Sequence, residues 1–409
     1  MESLRLFREL TREQRNTFIA CFLGWALDAL DFFLVTFVLS QIAHDFGRSI
    51  PNVAFAITLT LMMRPLGAFI FGWLGDRYGR RIPLMIDIVF YSLMELATAF
   101  APNFTVFLIL RALFGIGMGG EWGLGASLAM ESLPPKARGL FSGILQQGYA
   151  TGYLLAALVY WIVFPIWGWR GLFIAGSLPA LLVIYIRMHV PESPVWQRDR
   201  AARPARPPLS ALVKQHGGLF LYAALLMTAF NYMSHGTQDL YPTYLEKQRG
   251  FGVNAKSMIS IVYATGAICG GAIIGSLSQT WGRRRVIILS AIAGMLLIPL
   301  WIFSPNTFLL ILGGFLIQFM VQGAWGVIPI HLNELSPPHF RGLFPGLVYQ
   351  LGNFAAAYAA QQQAWLAEIF RMSNGEPNYA LTMALVQTVV FGAVIVLAAV
   401  GKEKRGIEF

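Results

Sequence analysis

Residues 230–245, FNYMSHGTQDLYPTYL, place an amide, hydroxyls, an imidazole and a carboxylate directly after the apolar run GGLFLYAALLMTAF. Asn231, Ser234, His235, Gln238, Asp239 and Pro242 fall at i, i+3, i+4, i+7, i+8 and i+11, which is one stripe of a helix. At ~1.5 Å per residue the stripe is roughly 16 Å long. Asn231 and Gln238 supply amides for a polar ligand. His235 and Asp239, one turn apart, are a pair that can hold and pass a proton. Two readings follow. The stripe faces a water-filled path, or it is an interhelical hydrogen-bond seam of the kind Asn and Ser supply. A seam has no need of His and Asp a turn apart.

Further ionisable residues sit in apolar runs, where each costs roughly 2.5–3.5 kcal/mol on insertion scales. WALDALDFF carries Asp28 and Asp31, three apart and on one face. LMMRPLGAF carries Arg64, later runs carry Asp87, Glu95 and Arg111, and GEWG carries Glu121. Arg64 is always charged and binds a carboxylate in two-pronged fashion. It is the candidate anchor for an anion; the alternative is an ion pair with Asp28 or Asp31. Arg111 is a second, weaker anchor. Asp28, Asp31, Glu121 and Asp239 are the candidate proton carriers.

The elements that must hold these groups are membrane helices. Of 409 residues 56% are hydrophobic and 12% charged, with a mean hydropathy of +0.59. A soluble domain carries about twice that charge. Apolar runs of membrane-spanning length recur, without the short alternating segments of a transmembrane barrel. Twelve helices are expected, near 17–40, 52–75, 82–101, 104–130, 139–163, 169–190, 217–242, 254–279, 285–304, 307–333, 341–370 and 379–400. With that count, 22 of the 30 Lys and Arg residues collect on the side of both termini. That side is therefore expected to be cytoplasmic. The net charge of +10 is thus a topology signal, and no nucleic-acid partner is expected. No cleavable signal peptide is expected either, since MESLRLFRELTREQR is basic but the run after it is long. Cys21 and Cys269 match no metal spacing, and no metal or cofactor is expected.

The chain repeats itself. ESLPPKARGLFSG (131–143) resembles ELSPPHFRGLFPG (334–346), GWLGDRYGRRI (72–82) resembles GSLSQTWGRRR (275–285), and GEWG (120–123) matches GAWG (323–326). All three pairs are offset by 203 residues. Two six-helix bundles follow, 1–190 and 217–409. They are joined by the Pro- and Arg-rich segment 191–216, read as a cytoplasmic linker. By the offset, Asp28 maps to Asn231 and Asp31 to Ser234. Both belong to the first helix of their bundle, which is expected to line a central cavity. Such repeats carry a substrate site near the midplane at their interface.

GWLGDRYGRR resembles the loop-2/3 motif of the major facilitator superfamily, with GSLSQTWGRRR as its worn second copy, and PESP after helix 6 is similar to a segment of the same family. The seventh helix fits N-x-x-[S/T]-H-x-[S/T]-Q-D-x-x-x-T at every position: Asn231, Ser234, His235, Thr237, Gln238, Asp239 and Thr243. That pattern resembles the yeast-type lactate/pyruvate:proton symporters of the sialate:proton symporter branch. YQLGN (349–353) resembles another stretch there, which adds Gln350 and Asn353 as candidate ligands. The resemblance implies the major facilitator fold, an all-α polytopic membrane protein with twelve transmembrane helices. It also implies a functional monomer in the plasma membrane, of a bacterial inner membrane type. The expected function is proton-coupled import of a small monocarboxylate. A sialic-acid or other sugar-acid symporter, or a uniporter, is the alternative. The sialic-acid carriers can have two extra helices, for which this chain has no room.

By the same resemblance, Asp76, Arg80 and Arg81, with Arg138 and Arg341, form gating latches that hold the halves together; the alternative is topology alone. GIGMGG (115–120) spells a dinucleotide motif, yet it lies inside a membrane helix. Gly115, Gly119 and Gly123 read instead as close helix packing. NFT (103–105) is a glycosylation sequon by spelling only. There is no zinc motif, G-x-S-x-G or nucleotide loop, so an enzyme is not expected.

Overall fold

The computed structural model describes residues 9–134, 141, 143–199, 209–337 and 344–403. They are almost entirely helical. The single β-type contact among them is a bridge between Arg371 and Pro377.

Ten helices among the described residues are long and apolar enough to cross a membrane. The remaining two of the twelve expected spans are segmented, which is why length alone misses them. The sixth consists of the end of Gly148–Ala175, a 3-10 turn at Leu178–Leu181 and the helix Leu182–His189. The eleventh consists of Phe344–Ala356 and Ala359–Ile369. A loop expected between the fifth and sixth spans shrinks to one residue, Gly168, at φ 61° and ψ −163°. Only glycine adopts that backbone without strain.

The repeat is visible in detail. Gly79 (φ 99°) and Gly282 (φ 95°), 203 residues apart, turn the chain between the second and third and between the eighth and ninth spans. Asn103 caps the fourth span by accepting from the Val106 amide. Its repeat mate Asn306 caps the tenth by accepting from the Phe308 and Leu309 amides. NFT is therefore a helix start, as Asn caps require.

The packing reading of GIGMGG holds for two of its three glycines. A Cβ at Gly115 or Gly119 would overlap the Thr60 or Arg64 carbonyl of the second span, whereas Gly123 faces open space. In the second half, Gly270 meets the Phe319 carbonyl as Gly67 meets that of Ile116, again at an offset of 203.

The first and seventh spans break at corresponding places. Arg12–Phe37 stops at Val38 and resumes as Leu39–Asp45. Leu209–Gln238 stops before Leu240 and resumes as Tyr241–Lys247, with Pro242 in the new first turn. The expected stripe is thus continuous as far as Asp239, whose amide still donates to the His235 carbonyl. Pro242 lies beyond the break, because proline has no amide to carry the ladder on. The seventh span begins at Gln215, close to the expected 217, and a separate helical stretch from Leu209 joins it at a kink where His216 leaves helical backbone.

Candidate substrate site between the two halves

A small, partly open cavity lies between the halves. The first half contributes Gln146 and Tyr149. The second contributes Asn231, Ser234, His235, Gln322, Trp325 and Tyr349.

The seventh-span stripe divides into two functions. Asn231, Ser234 and His235 line the cavity. Asn231 Nδ2 donates to the Met227 carbonyl, and Gln322 Nε2 donates to Ser234 Oγ at 3.1 Å. Thr237 and Gln238 turn into a seam with the eighth and tenth spans. There Gln238 Nε2 donates to Gln318 Oε1 at 3.0 Å, and Gln318 Nε2 donates to Thr237 Oγ1 and to the Tyr263 hydroxyl. Both readings of the stripe therefore apply, each to its own residues, and Gln238 is held away from the cavity wall.

His235 and Asp239 are brought together. His235 Nδ1 lies 3.2 Å from Asp239 Oδ2, and both side chains are buried. With Nδ1 facing the carboxylate, Nε2 is the nitrogen left for a ligand. Across the interface the imidazole meets Phe32 edge to face at 5.6 Å.

Arg64 is wholly buried, and none of its three guanidinium nitrogens has a hydrogen-bond partner among the described residues. Asp28 and Asp31 were alternative partners for it, and no such ion pair forms. The guanidinium instead lies over the rings of Trp25 (5.9 Å) and Tyr349 (5.8 Å). Tyr349 lines the cavity and Trp25 stacks on Tyr149, so the cation sits just behind the cavity wall. Such stacking favours a cation, but it supplies no hydrogen-bond acceptor. Arg111 is different. Its Nη1 lies 2.6 Å from Glu95 Oε2, and both side chains are fully buried. That pair removes Arg111 from the candidate anchors.

Asp28, Asp31 and Glu121 are buried, and none of their carboxylate oxygens has a hydrogen-bond partner among the described residues. Glu121 lies against Gly24 of the first span. Asp31 turns into the core of its own half, against Gly176 and Glu95. Asp87 is likewise buried and unpartnered. Gln350 and Asn353 bond each other, Asn353 Nδ2 donating at 3.3 Å, and it is their neighbour Tyr349 that reaches the cavity.

The expected latch residues hold spans within a half. Arg80 pairs with Glu131 at 3.4 Å, and Arg81 donates to the Arg187 carbonyl at 2.5 Å. Glu192 accepts from the Arg80 and Arg81 amides. The second half repeats this with Arg283 against Glu334 at 3.3 Å, and with Glu403 accepting from the Arg283 and Arg284 amides. These particular contacts lie inside one half. Arg138, Arg341 and the side chain of Asp76 lie outside the described residues.

The halves are joined at the opposite end. There Lys256 Nζ lies 2.6 Å from Glu246 Oε2 and donates to the Phe37 carbonyl at 3.0 Å. Ser40 and Gln41 donate to Glu246 Oε1 at 2.5 and 3.1 Å. Trp161 donates to Asn254. Sequence reasoning missed these residues, because Lys256 counted only as an outer-loop charge.

It also missed the aromatic lining, although the repeat contained the signal. Gln146 and Tyr349 are repeat mates, and so are Trp122 and Trp325. Both tryptophans pack on Tyr349, at 5.2 and 5.9 Å.

The model of the Major Facilitator Superfamily matches residues 21–360 and again 240–405. The chain is 32% identical to a carboxylic acid transporter protein homolog of Saccharomyces cerevisiae, over 97% of this chain and 69% of that one. It is 30% identical to a probable 4-methylmuconolactone transporter of Cupriavidus pinatubonensis, over 97% and 92%. It is 27% identical to the sialic acid transporter NanX of Escherichia coli, over 96% and 95%. Among solved structures, the partially occluded inward-open xylose transporter XylE of E. coli superposes with a TM-score of 0.75. That match covers 98% of this chain and all of the other at 16% identity, so it bears on the fold alone. The chain is a membrane transporter rather than an enzyme, and it belongs to the Major Facilitator Superfamily.

Proposed function

We propose that this protein is a proton-coupled symporter that imports a small monocarboxylate of the lactate or pyruvate type. The observation that carries this reading is Arg64, a fully buried cation without a hydrogen-bond partner beside the central cavity. An unpaired charge there is costly unless something completes it, and a carboxylate matches its two-pronged donor geometry. The carboxylic acid transporter homolog among the relatives points the same way.

In this reading Arg64 holds the carboxylate, and Asn231 and His235 contact the substrate from the seventh span. Gln238, Gln350 and Asn353 stand behind as support. Asp28, Asp31, Glu121 and the His235–Asp239 pair carry the proton. Halves 1–190 and 217–409 rock about this site, joined by 191–216, in a monomer of the plasma membrane of inner-membrane type. Both termini are cytoplasmic, on the side rich in Lys and Arg. Purified protein in liposomes, offered labelled lactate, pyruvate, acetate and sialic acid under an inward proton gradient, tests the reading. Accumulation of lactate or pyruvate supports it. Uptake of sialic acid alone, or accumulation indifferent to the proton gradient, overturns it.

A further inference from the structure

We infer that Tyr149 selects the substrate by its second oxygen: the phenol donates a hydrogen bond to a 2-hydroxyl or 2-oxo group while Arg64 holds the carboxylate. The inference rests on the monocarboxylate reading above and adds a chemical class to it.

Tyr149 is 8% exposed, lines the cavity, and its hydroxyl has no hydrogen-bond partner among the described residues. Buried tyrosine hydroxyls normally find a partner. The hydroxyls of Tyr91, Tyr153, Tyr222 and Tyr241 also lack one, but none of these residues lines the cavity. Packing holds the Tyr149 ring firmly, with Trp25 at 5.6 Å and Phe33 edge-on at 5.0 Å. The phenol is thus a fixed donor aimed by its surroundings.

Trp25 is also the ring over which the Arg64 guanidinium lies, at 5.9 Å. Two donors therefore flank one indole, the guanidinium and the phenol. A 2-substituted acid carries its carboxylate and a second oxygen on adjacent carbons, so it offers an acceptor for each donor. An unsubstituted acid would satisfy the guanidinium and leave the phenol unpaired. Sites built to bond a ligand oxygen discriminate strongly against the analogue that lacks it.

The repeat shows that packing does not require the phenol. The residue 203 positions on from Tyr149 is Gly352, which packs on the Met227 backbone. Likewise the mate of Arg64 is Ala267. Both donors are departures from the pseudo-symmetry, on the same half.

The test is transport by wild type and Tyr149→Phe in liposomes, with lactate, pyruvate and propionate measured on the same preparations. The substitution removes only an oxygen that has no hydrogen-bond partner among the described residues, and the ratio between substrates is its own control for folding. The expected result is a wild-type preference for lactate and pyruvate over propionate in kcat/KM. In Tyr149→Phe that preference falls by about tenfold or more. A ratio unchanged by the substitution overturns the inference. Wild type that carries propionate as well as lactate also overturns it and leaves the monocarboxylate reading standing. Wild type that carries none of the three overturns both.

Discussion

Phe32 and His235 are repeat mates, 203 residues apart, and their rings meet edge to face at 5.6 Å across the interface of the halves. The pseudo-symmetry axis therefore passes beside the one imidazole in the cavity wall. The first half offers this histidine an apolar ring. The second offers it Asp239 on Nδ1. Under the proton coupling proposed above, wild-type uptake should rise as the outside pH falls. His235→Gln keeps a donor but cannot ionise, and its substrate binding should lose that dependence. Wild-type pH dependence in this variant would make His235 a structural hydrogen bonder.

Arg64 is expected to fix the carboxylate through a planar fork that lysine cannot reproduce. Arg64→Lys should still insert, because Trp25 and Tyr349 accept any cation over their faces. Its apparent KM for substrate should rise by about tenfold or more, as expected when a two-pronged contact becomes a point charge. Unchanged affinity would exclude the anchor role.

Asp28 and Asp31 are buried, and their carboxylates have no hydrogen-bond partner among the described residues. One carboxylate moving with one proton carries no net charge. A membrane potential, worth ~2.3 kcal/mol per charge per 100 mV, should then contribute nothing. Uptake should follow an imposed pH gradient and ignore a valinomycin-imposed voltage. Asp28→Asn and Asp31→Asn should each lose uphill accumulation while retaining exchange. Accumulation kept in both would move the proton to Glu121 or to the His235–Asp239 pair.

The paired arginines should differ in worth. Arg283 and Glu334 are almost fully buried, whereas Arg80 and Glu131 are 13% and 21% exposed. Glu334→Gln leaves a buried cation undercompensated, a loss approaching about 3 kcal/mol. Glu131→Gln should cost below about 1 kcal/mol. Thermal unfolding of the two variants in detergent compares them directly, and equal shifts would contradict the difference in burial.

Glu246 accepts from Ser40 and Gln41 of the other half, and this contact must break before the molecule can open at that end. Ser40→Ala with Gln41→Ala should favour the state open there. A cysteine probe at Asn254→Cys, which itself removes the acceptor of the Trp161 contact, should label faster in that background than alone. Slower or equal labelling would show that the contact does not hold this end shut.

Span number, the two-fold repeat and the identity of the polar stripe were legible in the sequence. They depend on hydrophobic period, on a constant offset and on how rarely a membrane helix carries charge, and all three are local properties. Even the segmented sixth and eleventh spans fell near their expected limits, because composition persists where helical hydrogen bonding is interrupted. Partnership was not legible. Arg64 and Arg111 look alike as single arginines in apolar runs, yet one is unpaired beside the cavity and the other is neutralised by Glu95. Gln238 and His235 occupy one stripe, yet a small rotation about the helix axis sends one into a seam and the other to the cavity. Tyr149 had no pattern to announce it. Which side chains converge depends on how helices distant in sequence pack against one another, and no spacing along one chain segment encodes that angle.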